Sequence, residues 1–365
     1  MKFTVERAKL LEAVSKLQSV VGSKTAMPVL EGILISAEQG KITLIAYNLE
    51  MGMKKEIYAK TDEAGDIVIG ARLLADILRR MNGVQVEISA DDRLNCNIKS
   101  GEATFDIMGM SASDFPEMPS VADTNGFKVN SAVLAETVKG TIFATAQNEG
   151  AKPILTGINF EIADGYLKLI AIDGFRLAIR KEKVNIDETL NFVISGRAVA
   201  EAMKIVNDEE QEIAIFIGRR HICFEIEGYS FISRLLDGEF IDYKKTIPEQ
   251  YSQTMKVNTR DIVEIIERIS LIISDNFTTP VRCIVKENET VFSCVTSVGR
   301  ATETAGIMLQ GQPFEIGLNS KYLLEALRAS DYETVNICFN GGSAAVVIKP
   351  DDDSFTYMIM PMRLR

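Results

Sequence analysis

Apolar and polar positions change period several times along the chain, and the order of the changes recurs. Phe3-Thr4-Val5 leads into ERAKLLEAVSKLQSVV, where Leu10, Val14, Leu17 and Val21 return at helical spacing. Phe127-Lys128-Val129 leads into SAVLAETVKGTIFAT, and Met255-Lys256-Val257 into TRDIVEIIERISLII. Each predicts a short strand followed by an amphipathic helix. Asn130-Ser131 and Asn258-Thr259 supply N-cap side chains for the second and third helices. Alternating apolar residues follow in ILISAEQGKITLIA, INFEIADGYLKLIA and CIVKENETVFSCV, which predicts paired strands turning at Gln39-Gly40, Asp164-Gly165 and Glu287-Asn288. A further strand comes next, as in MKKEIYA and FRLAIRKEKV.

The second half of each unit repeats the plan. IVIGAR precedes LLADILRRMN, FVISGR precedes AVAEAMKIVN, and FEIGLN precedes SKYLLEALRAS, each followed by about three more strands. Pro153, Leu155 and Gly157 stand 125 residues after Pro28, Leu30 and Gly32, and Arg197 stands 125 after Arg72. A weaker third copy begins at Pro280. A repeat of this length predicts three domains, at 1–120, 126–248 and 254–365, each large enough to bury its own core. Strands that arrive as meanders pair antiparallel, so the fold class is α+β: antiparallel sheets with two helices on one side of each domain.

Composition changes little in this picture. Apolar residues at 46% and charged residues at 25% suit a soluble globular protein. No run reaches the length of a membrane span, and MKFTVERAKLLE has no apolar signal core. Cys96, Cys223, Cys283, Cys294 and Cys338 form no CxxC pair, which predicts reduced, mostly buried thiols of a cytoplasmic protein and no zinc site.

Catalytic patterns are missing from the sequence. The single histidine, His221, sits inside a predicted strand and reads as structural. Asp351-Asp352-Asp353 reads as a solvated turn rather than a metal site, and Asp173-Gly174 and Asp237-Gly238 read as turns. No cofactor or metal is expected. The net charge of -11 by itself argues against nucleic acid. The six predicted helical stretches nevertheless sum to about +5, leaving the remainder at about -16. That split fits either ordinary exposed Lys and Arg or a helical face turned to phosphates.

With these features together, the chain resembles the bacterial DNA polymerase III beta-subunit, or sliding-clamp, family over its whole length. The marks are MKFTVER, Ile172-Asp173-Gly174-Phe175-Arg176-Leu177-Ala178, Phe240-Ile241-Asp242-Tyr243, and Met360-Pro361-Met362-Arg363-Leu364. The resemblance implies three clamp domains per chain and a head-to-tail homodimer closing a six-domain ring, helices inside and sheets outside. It implies a non-catalytic processivity factor that encircles double-stranded DNA. The implied partners are the DNA polymerase III alpha subunit, the clamp loader and other proteins with a clamp-binding motif; no membrane is involved. The alternative is a repeat scaffold that binds only proteins; an enzyme ranks third.

The same resemblance implies a peptide-binding pocket at Leu155, Ile172, Gly174, Phe175, Arg176, Leu177, Ile241, Met358, Ile359, Met360, Pro361 and Met362. Phe175 replaces a histidine common in the family, Ile241 replaces a proline, and Arg365 extends past the usual terminal leucine, so the pocket rim should differ. DNA-facing positions are expected at Lys24, Arg72, Arg79, Gln147, Asn148, Arg197 and Lys204, and dimer contacts at Phe105, Ile272 and Ile273.

Overall fold

The computed structural model describes residues 1–22, 25–121, 126–148, 150–207, 210–273 and 279–364. Six helices are present among them: α1 (Arg7–Leu17), α2 (Ala71–Arg80), α3 (Ser131–Lys139), α4 (Gly196–Met203), α5 (Thr259–Ser270) and α6 (Ser320–Ser330). They fall two to a repeat, and every strand pair is antiparallel, as the meandering alternation requires.

Contacts divide the chain into two compact units. The first comprises Met1–Ala132 with Arg197–Leu235, the second Val133–Gly196 with Leu236–Arg365. The middle repeat is therefore shared out, and the reason lies in its sheets. In the first unit, strand Tyr229–Arg234 of the middle repeat pairs with strand Met51–Tyr58 of the first repeat. This makes one eight-stranded sheet in the order Gly126–Asn130, Glu212–Ile217, His221–Ile226, Tyr229–Arg234, Met51–Tyr58, Lys41–Tyr47, Gly32–Glu38, Gly65–Gly70. A second sheet of five strands ends on Ala103–Met108.

Helices α1 and α2 pack together and bury Leu10, Ala13, Val14 and Leu17 with Leu74, Ala75, Ile77 and Leu78. Each large apolar side chain among them contributes about 1.5–3 kcal/mol on leaving water. Val21, expected on the α1 stripe, lies past its end. The helix stops at Leu17, the Ser19 hydroxyl donates to the Lys16 carbonyl, and Val20 takes the buried position instead.

The second unit repeats the construction. Strand Arg176–Lys183 of the middle repeat pairs with Phe355–Ile359 of the third, at the centre of a nine-stranded sheet. A four-stranded sheet ends on Arg300–Gly306. The Asn258 side chain caps α5 by accepting from Arg260 and Asp261 N–H, and Asn319 caps α6 by accepting from Tyr322 N–H. The hairpin at Asp164-Gly165 has positive φ at both residues (55° and 72°), the backbone a two-residue turn needs.

Candidate functional site

Within the second unit, strand registers bring five apolar side chains into a row across the sheet. Cys338 faces Val347, Val347 faces Met358, Met358 faces Leu177, and Leu177 faces Ile172. Residues directly opposite in an antiparallel ladder share a face, so all five project the same way. Ile170 and Tyr243 complete the cluster, and Leu155, Phe240, Ile247 and Tyr251 pack against it. Tyr243 comes from the connecting segment after the middle repeat. Its hydroxyl donates to Glu161 Oε2 at 3.0 Å, and Thr246 Oγ1 donates to its carbonyl at 2.6 Å. Burial, and then the Glu161 carboxylate, push the phenol above its ordinary pKa.

The loop between strands Tyr166–Ile172 and Arg176–Lys183 is set by Asp173. Its Oδ1 accepts from Phe175 N–H at 2.8 Å and from Arg176 N–H at 3.0 Å, and Gly174 takes φ of 94°. That backbone is the reason glycine stands there. The turn leaves Phe175 56% exposed. Its carbonyl accepts from Met360 N–H at 2.8 Å, which holds Met360, itself 44% exposed, beside the loop. Ile241, on the segment leading to Tyr243, is 39% exposed. Met362 N–H donates to Gly317 O at 2.8 Å and so ties the C-terminal tail, Pro361 included, to strand Phe314–Leu318.

Of the expected pocket residues, Leu155, Ile172, Leu177 and Met358 join one cluster, while Phe175, Met360 and Ile241 stay partly open to solvent. Arg176 and Ile359 face each other on the opposite side of the sheet from Leu177 and Met358. They are 5% and 1% exposed, so they support the floor from behind rather than line it. Arg176 Nε donates to Asp173 Oδ2 at 2.9 Å, its NH1 donates to Glu325 on α6, and its guanidinium lies over the rings of Tyr322 and Phe143. Tyr243, Cys338 and Val347 were not expected at the site. The apolar runs in NICFN and AAVVI are the only mark of the last two, and they do not say which strand lies beside Met358.

The arrangement is a cluster of buried apolar side chains with the half-open Phe175, Met360 and Ile241 on the segments next to it in the chain. It suits capture of apolar side chains from an extended segment, with flexible methionines to adjust to them.

The expected cationic positions differ in their local partners. Arg72 and Arg197 occupy the second residue of α2 and α4, are exposed, and have no ion pair among the described residues. Arg79 pairs with Asp76 at 2.7 Å and Lys204 with Glu201 at 2.8 Å. Gln147 and Asn148 are exposed, with Gln147 Nε2 donating to Thr145 Oγ1 at 2.9 Å. Lys24 lies outside the described residues. Several helix cations counted from the sequence are used internally: Arg7 donates to the carbonyls of Gly83 and Leu78, and Arg328 pairs with Glu267. Phe105 is 38% exposed on strand Ala103–Met108, which is paired on one side only. Ile272 and Ile273 follow the end of α5 and are half-buried.

His221 lies in strand His221–Ile226, its pKa lowered by burial and then by Arg234 and Arg220. Asp351 pairs with Lys256 at 3.0 Å and Asp352 accepts from the Tyr332 hydroxyl at 2.7 Å, so this acidic turn is tied to its neighbours. Among the described residues no group of His, Cys, Asp and Glu could hold a metal ion.

The N-terminal domain of the DNA polymerase III beta subunit matches residues 1–119, its central domain 128–242 and its C-terminal domain 244–363. A beta sliding clamp of Staphylococcus epidermidis is 30% identical over 376 residues, covering 100% of this chain and 99% of the relative. That of Bacillus subtilis is 29% identical over 378 residues, covering 100% of both. Among solved structures, the Bacillus subtilis DNA polymerase sliding clamp superposes with a TM-score of 0.96 at 27% identity over 100% of both chains. A DNA polymerase III beta subunit from Thermotoga maritima gives 0.92 at 26%, also over 100% of both.

Proposed function

The chain belongs to the DNA polymerase III beta-subunit family, and on that footing we propose that it is the sliding clamp of a bacterial replicative polymerase, a processivity factor of DNA replication. The observation that carries the reading is the full-length match to sliding clamps across all three repeats. Two copies meet head to tail, and a heterologous contact of this kind closes when the rotation per domain divides the circle. Phe105 on the open strand edge Ala103–Met108 and Ile272-Ile273 beyond α5 contribute to the joint. The open edge Arg300–Gly306 supplies a second unpaired ladder for pairing across it.

The ring encircles duplex DNA without reading sequence. Arg72, Arg79, Arg197, Lys204, Gln147 and Asn148, with Lys24, face the phosphates. Because several helix cations are already paired, the attraction is weak, and a weak grip lets the ring slide. The clamp makes and breaks no bond. It tethers the polymerase alpha subunit, the clamp loader and other motif-bearing proteins through the cluster around Leu155, Ile172, Leu177 and Met358. The tether raises the polymerase's effective concentration at the primer end. Its place of action is the cytoplasm, where the replication fork is.

Retention on DNA tests the reading. Protein loaded on a nicked circle by an ATP-driven clamp loader should stay bound, and linearising the circle should release it. Equal retention on both forms would sink the ring and leave a protein-only scaffold.

A further inference from the structure

The first unit carries a row of side chains in the same register as the cluster just described. Phe216 faces Cys223, Cys223 faces Ile232, Ile232 faces Gly52, and Gly52 faces Tyr47. Strand by strand this matches Cys338, Val347, Met358, Leu177 and Ile172. Gly52 and Leu177 are 125 residues apart, as are Met118 and Tyr243 on the connecting segments. The glycine has a physical cause. A Cβ at residue 52 would lie 2.6 Å from Met118 Sδ, so the methionine occupies the place that Leu177 fills in the other row.

What remains beside Met118 is a cavity of about 450 Å³, lined among others by Phe216, Cys223, Ile232, Glu225 and Lys54. That volume suits one or two buried side chains of a ligand. Glu225 and Lys54 stand two residues beyond Cys223 and Gly52, on the same face by strand alternation. Lys54 is held by Glu56 at 3.2 Å. Glu225 receives the weak thiol donor of Cys223 at 3.6 Å and has no ion-pair partner among the described residues. In the second unit the position matching Glu225, two residues beyond Val347, is Lys349. The two rows thus share an apolar floor; beside it the first carries Glu225 together with Lys54, which is engaged by Glu56, and the second carries Lys349, which pairs with Asp353 at 3.7 Å.

We propose that the cavity at Met118, Phe216 and Ile232 is a second peptide site, taking an extended segment with an apolar anchor and a basic residue that pairs with Glu225. The proposal rests on the reading that the matching row of the second unit binds peptides. It assigns the first unit a binding segment of its own, selected by the Glu225 carboxylate, which has no ion pair among the described residues.

The test uses the full chain with labelled Met and Ile methyl groups, followed by NMR. It is titrated with two blocked tripeptides, acetyl-Leu-Phe-Arg-amide and acetyl-Leu-Phe-Glu-amide. The arginine peptide should shift the methyl resonances of Met118 and Ile232 with a half-saturation at least about fivefold lower than the glutamate peptide, the ratio a partly screened pair gives. Glu225→Lys should reverse the order. Unmoved Met118 and Ile232 methyls, or an order unchanged by Glu225→Lys, would overturn the proposal. If Glu225→Lys does not fold, Glu225→Gln should bring the two peptides to equal half-saturation, and a persisting arginine preference counts against the site. Met358 reports the other cluster separately, so shifts there with none at Met118 sink this site and leave the first reading standing.

Discussion

The guanidinium of Arg176 lies 4.3 Å from the ring centre of Tyr322, so a residue of the Asp173 loop is seated on helix α6. With Asp173 and Glu325 it forms an ion triad in which Arg176 is 5% and Asp173 11% exposed. Removing the cation leaves the Asp173 carboxylate with its two backbone N–H donors but no counter-ion, a change that costs about 1–3 kcal/mol. Arg176→Ala should lower the urea midpoint accordingly. It should also weaken a polymerase-derived peptide severalfold, because the Asp173 turn presenting Phe175 loses its anchor. Arg176→Lys should recover part of the stability and little of the ring stacking. Unchanged peptide affinity in the alanine variant would show that the turn holds itself.

The C-terminal tail offers a separate lever. A Cβ on Gly317 would fall 2.7 Å from the Met362 carbonyl oxygen and 2.9 Å from Leu364 Cδ2. Gly317→Ala should therefore displace Met362–Leu364 and speed hydrogen exchange at the Met362 amide by about tenfold, the loss of roughly one hydrogen bond. Met362→Ala keeps the backbone bond, so it should weaken peptide binding without that exchange change and without loss of the dimer. Light scattering and a peptide titration on the same sample separate the two effects.

Arg72 and Arg197 are expected to carry more of the DNA contact than Lys204, whose ammonium is held by Glu201 at 2.8 Å. Replacing either arginine by alanine should lower the slope of log affinity against log salt by about 0.9 for each phosphate no longer neutralised. Lys204→Ala should change it less. Equal slopes for all three variants would remove these arginines from the DNA-facing surface.

Burial pushes the thiol of Cys96 up to about 11 and that of Cys283 up to about 12. In the unfolded chain a thiol ionises at about pH 8.5. The folded values are raised, so this contribution is fully present below about pH 8.5 and is lost as pH rises toward the folded values. The loss reaches at most about 1.4 kcal/mol per pH unit for each thiol. Urea midpoints should be level near neutral pH and fall above about pH 9, with a shallower fall in Cys283→Ala. Parallel slopes in the two proteins would mean that other groups control the alkaline limb.

Much of the molecule was legible from period alone. Helical spacing at Leu10, Val14 and Leu17, alternation in INFEIA and YLKLIAI, and the 125-residue offset are local properties of the chain. They dictate element type, antiparallel pairing and threefold repetition, because each residue's side of a helix or strand follows from its neighbours in sequence. Leu155, Ile172, Leu177 and Met358 could be assigned to one site only through family resemblance.

Tertiary structure decided the rest. Strand Tyr229–Arg234 had no local reason to choose Met51–Tyr58 of another repeat, nor Arg176–Lys183 to choose Phe355–Ile359. Those pairings join residues more than a hundred positions apart, and they alone set which side chains share a row. They turn Arg176 and Ile359 away from Leu177 and Met358, bring in Tyr243, Cys338 and Val347, and set Glu225 where the matching row has Lys349. Sequence determined which face each residue takes within its own strand; only the folded chain determined what stands beside it, because register between distant strands is fixed by packing of the whole sheet.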